Sequence, residues 1–192
     1  MSETIRNIEY LQKIDCFKKL KEEELFIIAE NSKIVQYKRG ETIFKQSVFS
    51  NNLVFFVDGL GKTYLEGSND KNIILEIIKP FELVGITSLY GENTYHFSVA
   101  SISQSNVFVF DKFSLHKIID SNTELGKSII ELYCKKTKHF FTKIISLGNK
   151  QLHGRFADAL LYLSNCITGK NLIDITITRK EIGELAGIST KS

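Results

Sequence analysis

A change of texture at Lys112 constrains this chain more than any other feature. From about Lys33 to Phe110 the sequence runs in short stretches of Val, Ile, Phe, Tyr and Thr, broken at close intervals by turn residues. β-Branched and aromatic runs of this kind favour strands. From Lys112 onward the apolar residues recur at steps of three and four, which is the helical period. The chain therefore has to combine a many-stranded unit with long helices.

The strand-rich part reads as seven short segments, at 34–37, 42–44, 53–58, 61–66, 73–78, 95–100 and 106–111. Turn chemistry separates them. Lys38-Arg39-Gly40-Glu41, Asp58-Gly59 with Gly61, and Gly67-Ser68-Asn69-Asp70 all carry glycine where a tight reversal needs it. Pro80, Gly85 and Gly91-Glu92-Asn93 follow. Many short strands at regular spacing predict an antiparallel sandwich or roll. About thirty helical residues precede this unit, with Phe17, Leu20, Leu25, Ile28 and Ala29 near helical spacing.

A short helix over 112–119 leads to Asp120-Ser121-Asn122, a cap-like break, and then to a long helix from about Thr123 to Asn149. Its apolar positions Ile130, Tyr133, Thr137, Phe140, Ile144 and Leu147 alternate in steps of three and four, the seam of a coiled coil. Ile129, Cys134, Phe141 and Ile145 widen that stripe, which suits a helix touching both a partner and its own sheet. Gly148 marks its end. Another helix starts at Gly154-Arg155-Phe156, and 173–178 alternates as a short strand.

The tail has a compact grammar. Thr178 and Glu181 form a T-x-x-E capping box. Ile182, Leu185 and Ala186 give a short helix one buried face, Gly187 permits a left-handed turn, and Ser189 caps whatever follows. The pattern fits a helix-turn-helix and also an ordinary helical hairpin.

Composition narrows the function classes. With 43% hydrophobic and 24% charged residues, the chain can bury a core. A formal net charge of +3 neither demonstrates nor excludes nucleic-acid binding. Basic residues do crowd the last third, either as a DNA-facing surface or as solvated helix faces. Three widely spaced cysteines, Cys16, Cys134 and Cys166, make neither a disulfide framework nor a zinc site and suit a reducing cytoplasm. The polar, charge-mixed start predicts no secretory leader, and no apolar run is long enough for a membrane span. Nucleophile-elbow, P-loop and H-E-x-x-H motifs are missing, so the sequence offers no support for an enzyme.

The order of roll, seam helix and capped tail resembles the Crp/Fnr regulators over nearly the whole chain. The residues that carry the resemblance are Lys38-Arg39-Gly40-Glu41-Thr42-Ile43-Phe44, Val57-Asp58-Gly59-Leu60-Gly61-Lys62, Pro80-Phe81-Glu82-Leu83-Val84-Gly85, and Thr178 to Ser189. The last stretch is specific; the roll motifs are individually weak but collinear. The resemblance implies an α+β architecture: an N-terminal antiparallel β-roll (a cyclic-nucleotide-binding-like double-stranded β-helix), a long dimerisation helix and a partial winged helix-turn-helix. The expected domains are a sensor roll with flanking helices over 1–120, the dimerisation helix over 121–150, and the partial DNA-binding unit over 151–192.

The same resemblance exposes a degenerate effector pocket. Family members that bind cyclic AMP place a Gly-Glu pair on the ribose and an Arg-Ser pair on the cyclic phosphate. Here Gly85 is kept, Ile86 replaces the acid, and Tyr95 and His96 stand near the Arg-Ser positions. Phe140 and Phe141 take the long-helix positions that face the base, and they offer packing alone. A half-buried cyclic phosphate needs a cation and aligned donors. Tight cyclic-AMP binding is therefore not expected, and the pocket holds either a more apolar effector or its own side chains. An iron–sulfur cluster needs about four thiolates, and only Cys16 lies near the N-terminus. His96, His116, His139 and His153 read as surface or helix-face residues rather than haem ligands, with His139 beside Phe140 the one worth inspecting. The effector is left unidentified.

The function expected from the resemblance is a cytoplasmic, homodimeric transcription regulator bound to a double-stranded operator, with RNA polymerase a further candidate partner. Thr178, Arg179, Ser189, Thr190 and Lys191 are the expected DNA contacts, mostly to phosphates. Lys191 stands where the family usually has Glu, which favours phosphate or guanine over the cytosine amine. The recognition helix needs about three turns, so its remainder and a β-wing are expected beyond Ser192, and the 192 residues alone are not expected to read a DNA sequence. Two alternatives stand beside this one. The first is a sensory module without DNA output, which would lack the tail from Thr178. The second is a cupin-like enzyme, which would need a His-rich strand set.

Overall fold

The computed structural model describes residues 2–68, 71–168 and 176–188. Helix α1 (Ser2–Leu11), a 3-10 turn (Asp15–Phe17) and α2 (Glu22–Glu30) precede eight strands: β1 (Ser32–Tyr37), β2 (Thr42–Phe44), β3 (Asn52–Phe56), β4 (Gly61–Leu65), β5 (Ile73–Ile78), β6 (Leu83–Val84), β7 (Ser98–Ser101) and β8 (Ser105–Asp111). Four α-helices follow among the described residues, α3 (Lys112–Ser121), α4 (Thr123–Asn149), α5 (Leu152–Leu163) and α6 (Arg179–Ala186), with a short π-helical segment, Ser164–Thr168, after α5. The strands form two four-stranded antiparallel sheets, ordered β1-β8-β3-β6 and β2-β7-β4-β5.

The near-continuous apolar runs have a structural cause. Successive strand residues point to opposite faces, and the central strands are covered on both. Leu53 and Phe55 of β3, with Phe108 and Phe110 of β8, meet the helices α1, α2, α3 and the start of α4. Val54, Phe56 and Val107 point the other way, into the roll, against Ile78, Val84, Phe97 and Val99. Phe55 stacks on Phe108 at a centroid separation of 4.6 Å. A third cluster lies outside the second sheet, where Tyr64, Ile74, Ile77 and Ile102 pack against Ala159 and Leu163 of α5 and Leu185 and Ala186 of α6.

Three expectations needed adjusting. The two-residue strand β6, with Val54↔Val84 and Phe55↔Leu83 as its register, is too short for a periodic signal. The segment placed at 95–100 becomes strand only at Ser98, because Tyr95 is held elsewhere: its N–H donates to Val48 O at 3.0 Å and its hydroxyl to Asn52 O, at the start of β3, at 2.8 Å. The segment placed at 53–58 leaves the sheet after Phe56. Half of the strand expected at 173–178 lies outside the described residues, as do Asn69 and Asp70 of one hairpin loop; its other half is not strand, since Thr176 and Ile177 turn into the N-cap Thr178 of α6.

Helix α4 begins where the cap chemistry places it, with Asn122 Oδ1 accepting from Leu125 N at 3.1 Å. At 1.5 Å per residue it is about 40 Å long. Only Leu125 and Ile129 are buried on it. Ile130, Tyr133, Phe141, Ile144 and Ile145 are 49–64% exposed, an apolar face without a cover in one copy of the chain.

Candidate functional site

Helix α4 crosses the mouth of the roll. A cavity of about 40 Å³ lies beneath it, lined by Leu83, Gly85, Ile86, Phe97 and, from α4, Tyr133, Thr137 and Phe140, with Glu76 and Lys136 at its rim. Sites for small organic ligands are typically some 300–1,000 Å³, so this space suits a few waters and not a nucleotide. Lys136 Nζ contacts Glu76 Oε1 at 2.6 Å, and both side chains are largely shielded. The cation nearest the cavity is thus already neutralised. Gly85 adopts φ 95°, the left-handed region that favours glycine, and opens the 3-10 turn Ile86–Ser88.

The residues expected in this pocket separate. Gly85, Ile86 and Phe140 line the cavity, whereas His96 and Phe141 are exposed. Tyr95 is buried with its ring stacked on Phe44 at 3.7 Å. Tyr133, Thr137 and Phe140, read as seam positions, contribute to the cavity as well, while Ile130 and Ile144 face outward. His139 rests on the sheet: its Nε2 is 3.3 Å from Leu75 O and its ring stacks on Tyr162 at 5.2 Å. Burial pushes the Cys16 thiol up to about 12, which makes it inert at neutral pH; Cys134 is exposed on the α4 surface. No trio of His, Cys, Asp or Glu among the described residues is placed to hold a metal.

Sequence reasoning missed Lys112. Its side chain is buried, and Nζ donates to Ser88 O at 3.2 Å and Asn93 Oδ1 at 3.0 Å. That cation ties the loop after Gly85 to the start of α3. A lysine at a helix start carries no sequence signal for such a role.

At the other end, the capping box forms as read. Thr178 Oγ1 accepts from Glu181 N at 3.2 Å, and Glu181 Oε2 accepts from Thr178 N at 2.9 Å. Gly187 ends α6 at φ 63°. Arg179 is exposed, and Ser189, Thr190 and Lys191 lie outside the described residues. Sequence reasoning also missed the docking of α6 on the roll. Lys62 Nζ of β4 sits 3.3 Å from both Glu181 Oε1 and Glu184 Oε2, and Arg39 donates to Thr176 O at 2.7 Å.

These features define a class of fold: an antiparallel roll with flanking helices, closed by a long helix and followed by a small docked helical unit. Residues 34–122 match the family model for the cyclic nucleotide-binding domain. Among solved structures, the chain is similar to FixK2 from Bradyrhizobium japonicum (TM-score 0.72, 18% identity, 82% of this chain and 78% of that one). It is also similar to CLP from Xanthomonas campestris, a c-di-GMP responsive global regulator (TM-score 0.72, 17% identity, 87% and 84%). A protein from Eubacterium rectale assigned to the crp/fnr family of transcriptional regulators superposes over 94% of this chain and 82% of its own, with TM-score 0.78 and 16% identity. No curated protein sequence matches the chain. At these identities the likeness establishes the fold. No helix among the described residues is long and apolar enough to cross a membrane.

Proposed function

We propose that the chain is a cytoplasmic, homodimeric, sequence-specific DNA-binding transcription regulator of Crp/Fnr type, responsive to an effector other than cyclic AMP. The observation that carries this reading is the uncovered face Ile130–Tyr133–Phe141–Ile144 on a helix that is followed, after α5, by a T-x-x-E capped helix ended by Gly187. Two such faces packed in parallel bury the stripe and set two capped units side by side across a two-fold axis. Thr178 and Arg179, with Ser189, Thr190 and Lys191, then serve as phosphate-positioning residues on a near-palindromic operator. The structural neighbours named above support the reading through shared fold. The 40 Å³ roll cavity, the Lys136–Glu76 pair and the absence of an acid at Ile86 support exclusion of cyclic AMP. RNA polymerase contact is a further part of the proposal.

The test is selection of duplex DNA from a random library by the gene's complete product. The expected result is an inverted repeat with half-sites about one helical turn, ~34 Å, apart. Enrichment of no repeat, or of single half-sites by a monomer, would refute the proposal.

A further inference from the structure

A second and larger cavity lies outside the roll, where α4, α5 and α6 meet β5. Its volume is about 350 Å³, within the range of small-molecule sites. The walls are mainly apolar, with Leu75, Ile145, Leu147, Leu161 and Leu185 among them. Ile145 and Leu161, at its rim, are 58% and 64% exposed. Against this apolar lining stand two cations, Lys143 and Arg155, that no carboxylate among the described residues neutralises. Lys143 Nζ donates to the Leu185 carbonyl at 2.8 Å, and Arg155 Nη1 to the Gly187 carbonyl at 3.3 Å. Lys143 has three donors and Arg155 five. The Arg155 Nε–H is buried without a hydrogen-bond partner. Asp158, the one acid among the described lining residues, is already held by Lys150 at 2.8 Å and Ser146 at 2.6 Å. Burial holds the Lys143 ammonium down to about 8, the expected state of a cation without a counter-charge.

An apolar chamber with two unneutralised cations complements one chemistry: an acidic head on an apolar body. We infer that this junction cavity binds a small amphipathic carboxylate, its head between Lys143 and Arg155 and its body along Leu75, Ile145 and Leu161. Both cations at present hold carbonyls at the C-terminal end of α6. A carboxylate is a stronger acceptor than a carbonyl for a charged donor, so binding draws the cations from Leu185 and Gly187 and loosens the end of that helix. Neither the binding nor this loosening rests on the regulator reading; only an effect on DNA would.

The test is calorimetric titration of the full chain with hexanoate, octanoate and decanoate below micelle formation, beside the matching primary alcohols. Saturable binding is expected for the acids, tightening about tenfold per two added methylenes, with the alcohols at least about tenfold weaker. Lys143→Met is expected to weaken acid binding about tenfold or more, and Thr142→Trp, which fills the chamber from its rim, to abolish it. Arg155→Gln replaces Lys143→Met should circular dichroism show that variant unfolded. Equal binding of alcohols and acids, no heat from any of the three acids, or unchanged binding in both variants would overturn the assignment. DNA takes no part in this measurement, so it fails or succeeds separately from the operator selection.

Discussion

Lys62 Nζ lies 3.3 Å from Glu184 Oε2, and this contact across 122 residues fastens the capped helix to the roll. Only 8% of the Glu184 side chain is exposed. Removing its partner strands a shielded carboxylate, with Lys180 at 3.8 Å its one remaining cation among the described residues. Breaking a fully buried pair costs about 3–5 kcal/mol, and the partial exposure of Lys62 reduces that to roughly 1–3 kcal/mol. Lys62→Met should lower urea stability by that amount, and adding Glu184→Gln should restore part of it.

The neighbouring Glu181 makes the docking sensitive to acid. Burial pushes its pKa up, but the hydrogen bonds from Thr178 and the charge of Lys62 outweigh that and leave it below the ordinary glutamate value. A carboxyl depressed in the folded state contributes stability that is complete above its unfolded pKa of about 4.3 and is lost as pH falls through the folded pKa. Urea unfolding at pH 6 and at pH 3 should show wild type more stable than Glu181→Gln at the higher pH, with the gap closing at the lower.

Gly187 joins the end of α6 to α4. Its φ of 63° is the left-handed turn, and an added Cβ would come within 2.5 Å of Leu147 Cδ2. Gly187→Ala should therefore cost about 1–2 kcal/mol from backbone conformation alone, plus the displacement of Leu147. Chemical denaturation measures it; an unchanged midpoint would show that the α6–α4 junction is not held as described.

Much of this was legible in the residues. The break at Asn122 and the end at Asn149 follow from a cap and a long apolar period, and α4 spans that range. The Thr178–Glu181 box and the turn at Gly187 are local chemistry, so they read directly. Strand β6 did not, because two residues carry no period. The docking of α6 did not either, since Lys62 and Glu184 are adjacent only after the roll has closed. The pocket residues were half legible. Ile86 and Phe140 reach the cavity, but Tyr95 was diverted by Asn52 and Phe44, contacts no spacing encodes. Lys143 and Arg155 belong to the basic run of the last third, which reads equally as a DNA-facing surface or as solvated helix faces, and their approach to the α6 carbonyls is a product of tertiary packing.

The roll cavity leads to a ligand prediction. A compound bound only by the native state at a hundredfold excess over its Kd stabilises by about 2.7 kcal/mol. Cyclic AMP should give no such thermal shift, because 40 Å³ lined by Phe97 and Phe140 and closed by Lys136 and Glu76 offers no space and, among the described lining residues, no free cation. A clear, saturable rise in melting temperature with micromolar cyclic AMP would overturn the pocket reading.

Whether α4 pairs with a second copy is read by sedimentation equilibrium on wild type and on the double substitution Ile130→Asp, Ile144→Asp. Both side chains are more than 60% exposed in one copy, so the change leaves the core of that copy alone. Two charges per helix in a packed seam are incompatible with association. Wild type should sediment as a dimer and the variant as a folded monomer. A monomeric wild type, or a variant that stays dimeric, would show that the α4 face does not join two copies.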